Sequence, residues 1–369
     1  MNTKILFTVT NDLNYDQRMQ RICSTLAEAG YEVKLIGRKR KNSKPLNNIS
    51  IPGKGSWSQK RLNCFFDKGK FFYLEFNLRL FFYLLFHKTD IICGIDLDTI
   101  LPAWLVAKIR GKTFVYDAHE YFTETSSLHG RTFEKKIWKM VEGFVVPNIK
   151  YAYTVNQSIA GIFEKEYGTH FEVVRNVPLP QEIPPKPPRE KYMLYQGILN
   201  KGRGLEFLIG CMPDIGVPLK IAGDGPLKEK LETMVRQLEI EDKVEFLGFV
   251  RPEALASITE NAWAGLNLIE NTGLSYYYSL ANKFFDYIQA EIPQICMDFP
   301  EYRSLNDQYQ CAALLPSFEE KRFTQLVQQL ETPSVYQQMV KNTRIAKKEL
   351  NWEKEKQRLL DFYAQIKKP

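Results

Sequence analysis

A chain of 369 residues, 44% hydrophobic and 25% charged, has the balance of a soluble globular protein and room for two or three domains. That balance excludes wholesale disorder and a polytopic membrane protein. Charge is uneven: residues 1–189 hold 28 basic and 18 acidic side chains, the remainder 22 and 25, and the net is +7. Within Arg38–Lys70 ten basic residues meet one acid, Asp67, so an anionic partner, a membrane surface among them, is expected on the N-terminal half.

Residues 4–9 form an apolar β-type run. A polar loop with a helix cap at Asp16 follows, then a helical stripe of Met19, Ile22, Cys23 and Leu26 that Gly30 ends. Residues 31–36 alternate as a second strand, which makes the opening a βαβ unit. Residues 71–86, FFYLEFNLRLFFYLLF, are too short and too polar for a membrane span; they read as a helix packed on a sheet or partner domain, or as a surface resting on an anionic membrane. Short strands fit 91–93, 113–116, 151–155 and 172–174. Six scattered cysteines without C-x-x-C read as buried thiols of a reducing cytosol. The N-terminus lacks a secretory cleavage pattern, so the expected location is cytoplasmic, peripheral on the inner face of the cell membrane.

Prolines at 178, 180, 184, 185, 187 and 188 make 178–191 an extended linker. It divides an N-terminal domain, 1–177, from a C-terminal one, 192–351. In the second, strands are expected at 192–196, 219–222, 244–247, 264–269, 294–297 and 312–315, with helices near 204–212, 226–239, 252–261 and 280–290. An amphipathic stretch at 352–366 closes the chain. The alternation predicts an α/β fold of two Rossmann-like, doubly wound domains facing across a cleft, with ligands at the carboxyl ends of the strands.

The loop Gly197-Ile-Leu-Asn-Lys201-Gly202-Arg203-Gly204 opens a helix and joins backbone amides to two cations, which suits a diphosphate; no G-K-[ST] makes it a Walker loop. Gly223 and Gly225 belong either to a tight turn or to a ligand-facing loop, and the backbone at Gly248 could meet a nucleobase edge. Gly273 and Ser275 suit an anion-facing loop. Lys283 and Asp286 share a helix face, as an ion pair or with the carboxylate on ribose hydroxyls. Tyr276, Tyr277 and Tyr278 read as core and cleft packing in preference to sugar-stacking faces. In the first half, His119 ends a strand beside Asp117 and Glu120, while Asp96-Leu-Asp98 reads as a loop cap.

Taken in order, NYDQRMQRICSTLAEAGYEV, IDLDTILPAWLVAKIRGKTFVYDAHE, YTVNQSIAGIFEKEYGTHFEVVRN, YQGILNKGRGLEFLI, IAGDGPL, VEFLGFV and SLANKFFDYIQAEIP resemble the family-four class of retaining glycosyltransferases with the two-domain GT-B fold. The resemblance implies that a final helix at about 352–369 packs back on the first domain. It places Arg203 at the lysine of the diphosphate motif, with Lys201 compensating for Ile198 at the usual arginine. Asp286 stands at the second, ribose-holding acid and Tyr278 at the first, so Glu270 or the backbone around Gly273 is expected to hold the donor sugar. Glu291 occupies the usual G-x-P glycine, and His119 matches the histidine that orients the donor sugar.

The implied activity is metal-independent transfer of a hexose-type sugar from a UDP- or GDP-sugar, used as substrate with no further cofactor, to a glycan or lipid-linked acceptor in bacterial cell-surface polysaccharide or glycolipid assembly. Front-face attack and a covalent carboxylate intermediate both remain open. A nucleotide-sugar epimerase of the same fold and a catalytically silent binding protein are the rival readings. A first loop without G-x-G-x-x-G argues against a nicotinamide dehydrogenase, and no recognition motif supports nucleic-acid binding.

Overall fold

The structure, a computed structural model, describes residues 2–14, 16–46, 49–50, 56–182 and 189–366. Pro184, Pro185, Pro187 and Pro188 of the linker, and positions 47–48 and 51–55 of the basic stretch, lie outside the described residues. The chain divides into two compact units, residues 1–176 with 355–369, and residues 177–354.

Unit 1 is built on a sheet of β1 (Lys4–Thr8), β2 (Glu32–Arg38), β3 (Ile49–Ser50), β4 (Ser56–Leu62), β5 (Ile91–Ile95), β6 (Thr113–Ala118), β7 (Tyr151–Thr154) and β8 (Glu172–Val173). Their order is β3-β4-β2-β1-β5-β6-β7-β8, parallel except for the short antiparallel β3. The central strands are apolar on both faces; β5 is buried at every residue, as a sheet covered on both sides requires. Five helices connect the strands: α1 (Gln17–Glu28), α2 (Lys70–Phe86), α3 (Leu97–Ile109), α4 (Thr132–Val145) and α5 (Gln157–Tyr167). Asp16 does cap α1, its carboxylate accepting the Met19 N–H at 3.0 Å. Strand β4 is a departure from the sequence reading, because the polar run SWSQKRL pairs with β2 and buries Trp57.

Unit 2 carries β9 (Met193–Gln196), β10 (Leu219–Ala222), β11 (Val244–Gly248), β12 (Ala264–Asn267), β13 (Gln294–Met297) and β14 (Ala312–Leu315). They form one parallel sheet in the order β11-β10-β9-β12-β13-β14, the doubly wound arrangement whose direction reverses between β9 and β12. Its helices are α6 (Leu205–Cys211), α7 (Lys228–Gln237), α8 (Pro252–Asn261), α9 (Leu274–Tyr277), α10 (Asn282–Gln289), α11 (Pro300–Tyr309), α12 (Glu320–Glu331) and α13 (Pro333–Glu349). Glu291 adopts φ 57°, a conformation that favours glycine, and its carboxylate bridges Arg344 at 2.8 Å and Lys347 at 3.1 Å.

The last helix, α14 (Trp352–Ala364), delivers aromatic side chains to unit 1. Tyr363 meets Phe7 and Tyr31 with ring centroids 6.3 and 6.2 Å away, and Phe362 meets Tyr153 at 5.0 Å. Glu355 accepts the Arg175 N–H at 2.8 Å.

Candidate active site

The switch in strand order places two loops of unit 2 side by side, residues 197–204 after β9 and 268–273 after β12. Gly197, Gly202 and Gly204 have φ of 133°, 85° and 64°, so the first loop follows a path that side-chain-bearing residues rarely take. The Glu270 N–H donates to the Gly202 carbonyl at 3.1 Å and ties the loops together. Half-buried Glu270 thus sits against the glycine loop. Gly273 is the N-cap of α9, and Ser275 inside that turn is buried.

Arg203 stacks over Tyr276 at 5.2 Å, and its buried Nε–H has no acceptor. Lys283, only 9% exposed, lays its ammonium 3.8 Å above the Tyr195 ring; a Cβ at Gly197 would lie 3.6 Å from that nitrogen. Burial, and then the neighbouring Arg203, hold the Lys283 ammonium well below the usual lysine range. Half-buried Arg203 and buried Lys283, whose charges repel each other, form a site that a multiply charged anion would relieve. Asp286 accepts a hydrogen bond from Gln196 at 3.0 Å. Helical spacing put Lys283 and Asp286 on one face, and the structure adds the Tyr195 ring beneath the Lys283 ammonium. Lys201, by contrast, is exposed.

Gly223 and Gly225, in the turn after β10, meet a packing demand of their own. A Cβ on Gly223 would stand 1.8 Å from the Gly197 carbonyl oxygen, and one on Gly225 2.6 Å from that of Leu199. Both positions let the β10–α7 turn lie backbone to backbone against the anion loop. Gly248, at φ 65°, gives its carbonyl to the Gly223 N–H at 2.8 Å, so that oxygen is engaged within the protein.

In unit 1 the carboxyl ends of β5 and β6 gather a second cluster. His119 Nε2 lies 2.9 Å from Asp117, whose other oxygen pairs with buried Arg18 at 3.1 Å. Arg18 and Asp117 are 4% and 0% exposed. Burial opposes the Asp117 charge, but Arg18 and His119 overcome it and hold the carboxyl below its ordinary range. Burial likewise opposes a protonated His119, and Asp117 and Asp96 overcome it, so the imidazole is raised. Asp96 does not serve as the expected cap: its backbone is at φ 54° and its carboxylate accepts the His119 N–H at 2.8 Å. Asp98, in the first turn of α3, accepts the Thr10 hydroxyl at 2.5 Å, and burial pushes it up to about 7. Arg18, Asp96 and Asp98 were not among the expected site residues; the D-L-D spacing beside an H-E strand end was the signal for the two acids, and the charges of the first loop, at the carboxyl edge of β1, were the signal for Arg18. Among the described residues no group of three His, Cys, Asp or Glu is disposed to hold a metal ion.

Residues 180–346 match the family described as Glycosyl transferases group 1. A 77-residue segment is 39% identical to an uncharacterized glycosyltransferase of Methanocaldococcus jannaschii, covering 20% of each chain. Among solved structures, sucrose-phosphate synthase of Thermosynechococcus elongatus is similar with a TM-score of 0.78 and 15% identity, over 99% of both chains. The Anabaena protein HepE in complex with UDP and glucose is similar with a TM-score of 0.75 and 10% identity, over 99% of this chain and 100% of that one. The two sheets with their helices are the GT-B fold.

Proposed function

We propose that this chain, whose second unit is a group 1 glycosyltransferase domain in a GT-B framework, moves a hexose-type sugar from a UDP- or GDP-sugar to an acceptor hydroxyl with retention of configuration. The observation that carries this reading is the pair Arg203 and Lys283, held beside a three-glycine loop with no anion of the protein's own on the Arg203 Nε–H. When the bond from the anomeric carbon to the diphosphate oxygen breaks, that oxygen keeps the electron pair. Arg203, Lys283, the outlying Lys201 and the loop amides stabilise the charge, and no metal is needed for that task. The acceptor oxygen then bonds to the anomeric carbon and passes its proton to the departing diphosphate oxygen. Asp286 would receive the ribose hydroxyls, Glu270 and the backbone at Gly273 the sugar, and His119 with Asp117 the orienting work of unit 1. The UDP and glucose of the Anabaena neighbour support a donor of this class.

A panel of sugar nucleotides incubated with the purified chain and a cell-surface glycan extract, read by mass spectrometry, tests the reading. One donor should release its nucleoside diphosphate in step with sugar appearing on the acceptor. Conversion of the donor to an epimer, or binding without turnover, would reject it.

The acceptor is expected at a membrane, as a glycolipid or a nascent surface polysaccharide. Helix α2 packs Phe72, Phe76, Leu80 and Leu84 on the sheet, yet its opposite face is also apolar, with Leu74 68%, Leu78 57% and Phe82 50% exposed. Helix α4 adds exposed Phe133, Met140 and Phe144, and Tyr73 of α2 meets Trp138 of α4 edge to face at 5.5 Å. Exposed Lys68, Lys70, Arg79 and Lys136 lie on the same helices and their leading loop, so an anionic bilayer complements this face where a second, equally basic copy would not. The Arg38–Lys70 stretch contributes less than its composition suggests, since Arg38 is buried and Arg61 is spent on the Asp12 carbonyl and Asn14. No helix among the described residues is long and apolar enough to cross a membrane. Sedimentation should recover more protein with phosphatidylglycerol vesicles than with phosphatidylcholine ones, and Leu78→Glu with Phe82→Glu should abolish the difference; equal recovery on both vesicles would remove the membrane reading.

A further inference from the structure

At the carboxyl ends of β1 and β2, unit 1 contains a recess of about 200 Å³ lined by Arg38, Arg40 and Lys68 and by the start of α2. Arg38, the last residue of β2, is 8% exposed. Its Nη1 donates to the Asp67 carbonyl at 2.6 Å and its guanidinium lies 4.1 Å over the Phe72 ring, but its buried Nε–H has no acceptor. Arg40 and Lys68 are exposed, and no ion pair engages either among the described residues. Helix α2, of 17 residues, starts just after Gly69, and Gly69, Phe72 and Tyr73 form that wall of the recess. One carboxylate, Asp67, stands against three cations there.

Thr10 also lines the recess, and its hydroxyl is the donor to Asp98. The basic pocket and the Asp96–Asp98–His119 cluster are therefore neighbours on one sheet edge, next to the reversal of strand order between β1 and β5. A group held on the cations would bring the rest of its molecule to those acids. We propose that this recess binds a phosphate ester carried by the acceptor, so that the sugar-accepting molecule is itself a phosphorylated, anionic compound. The assignment of the bound molecule as acceptor rests on the glycosyl-transfer reading; the anion site itself does not.

The test titrates inorganic phosphate calorimetrically into the full chain carrying Lys201→Ala and Arg203→Ala, which removes two cations of the unit 2 loop. Phosphate should still bind, and adding Arg40→Ala with Lys68→Ala, two exposed side chains whose loss leaves the core intact, should weaken it at least tenfold. Failure to bind, or unchanged affinity after the second pair of changes, would overturn the proposal. Competition then locates the source: displacement of phosphate by glucose 1-phosphate points to a soluble acceptor, and displacement by phosphatidylcholine vesicles containing a polyprenyl phosphate points to a lipid-linked one. Displacement by neither would overturn the acceptor role. UDP-glucose binding to the Arg40→Ala, Lys68→Ala chain with Lys201 and Arg203 intact reports on the donor site separately, so loss of this pocket and failure of the transferase reading are told apart.

Discussion

Arg203→Ala will lower sugar transfer by about 100- to 1,000-fold, the loss that follows removal of one preorganised donor to a developing oxyanion. The fall should appear in kcat as well as kcat/KM, because the diphosphate gains charge as the glycosidic bond opens. Thermal stability should hardly change. The Nε–H has no acceptor to lose, and the guanidinium covers only one face of Tyr276. Arg203→Lys keeps a cation at the end of a flexible chain and should recover a large part of the rate. A purified Arg203→Ala protein with near-normal turnover would end the assignment of this loop as the place where the leaving group is held.

The second large effect is on stability. Arg18→Met removes the cation paired with fully buried Asp117 and also the donor to the Val174 carbonyl at 3.0 Å. Breaking one side of such a pair costs about 3–5 kcal/mol, against a typical total of about 5–15 kcal/mol for a domain. Two units need not melt together, so the urea transition should be followed by hydrogen exchange with mass spectrometry. Amides of β1, β5 and β6 should lose protection while those of β9 and β12 keep theirs; unchanged exchange in unit 1 would contradict the argument. The pH dependence has a definite sign. Asp117 lies below its ordinary range in the folded chain, so its pairing contributes fully above the unfolded carboxylate pKa of about 3.9 and is lost as pH falls through the lower folded value. Without Arg18 the folded value rises, and acid unfolding of the variant should begin at a higher pH than in the parent.

The parallel strands were legible because each is a short apolar run bounded by turn residues, and the observed order puts glycine-rich loops at the ends of β9 and β10, where the spacing of residues 197–204 and 223–226 led one to look. Strand β4 was not legible. Its lysine and arginine gave it the look of a solvated basic segment, and only the buried side of the ladder, carrying Trp57, accounts for its place. Lys283 was visible as a charge on a helix, but helical spacing says nothing about what lies beneath it, and the Tyr195 ring comes from a strand 88 positions away. Asp96 was misread for a similar reason: the amide it accepts belongs to His119, just past the end of the next strand, so a local capping rule could not find it.

Because Tyr363 and Phe362 complete the packing around Phe7, Tyr31 and Tyr153, unit 1 can close only after the residues of unit 2 have been made. Residues 177–354 can close their own core while the earlier sheet still waits for its final helix, inverting the usual vectorial order of synthesis. Until residues 352–364 have emerged, the aromatic side chains that meet Tyr363 and Phe362 stay uncovered on the nascent chain.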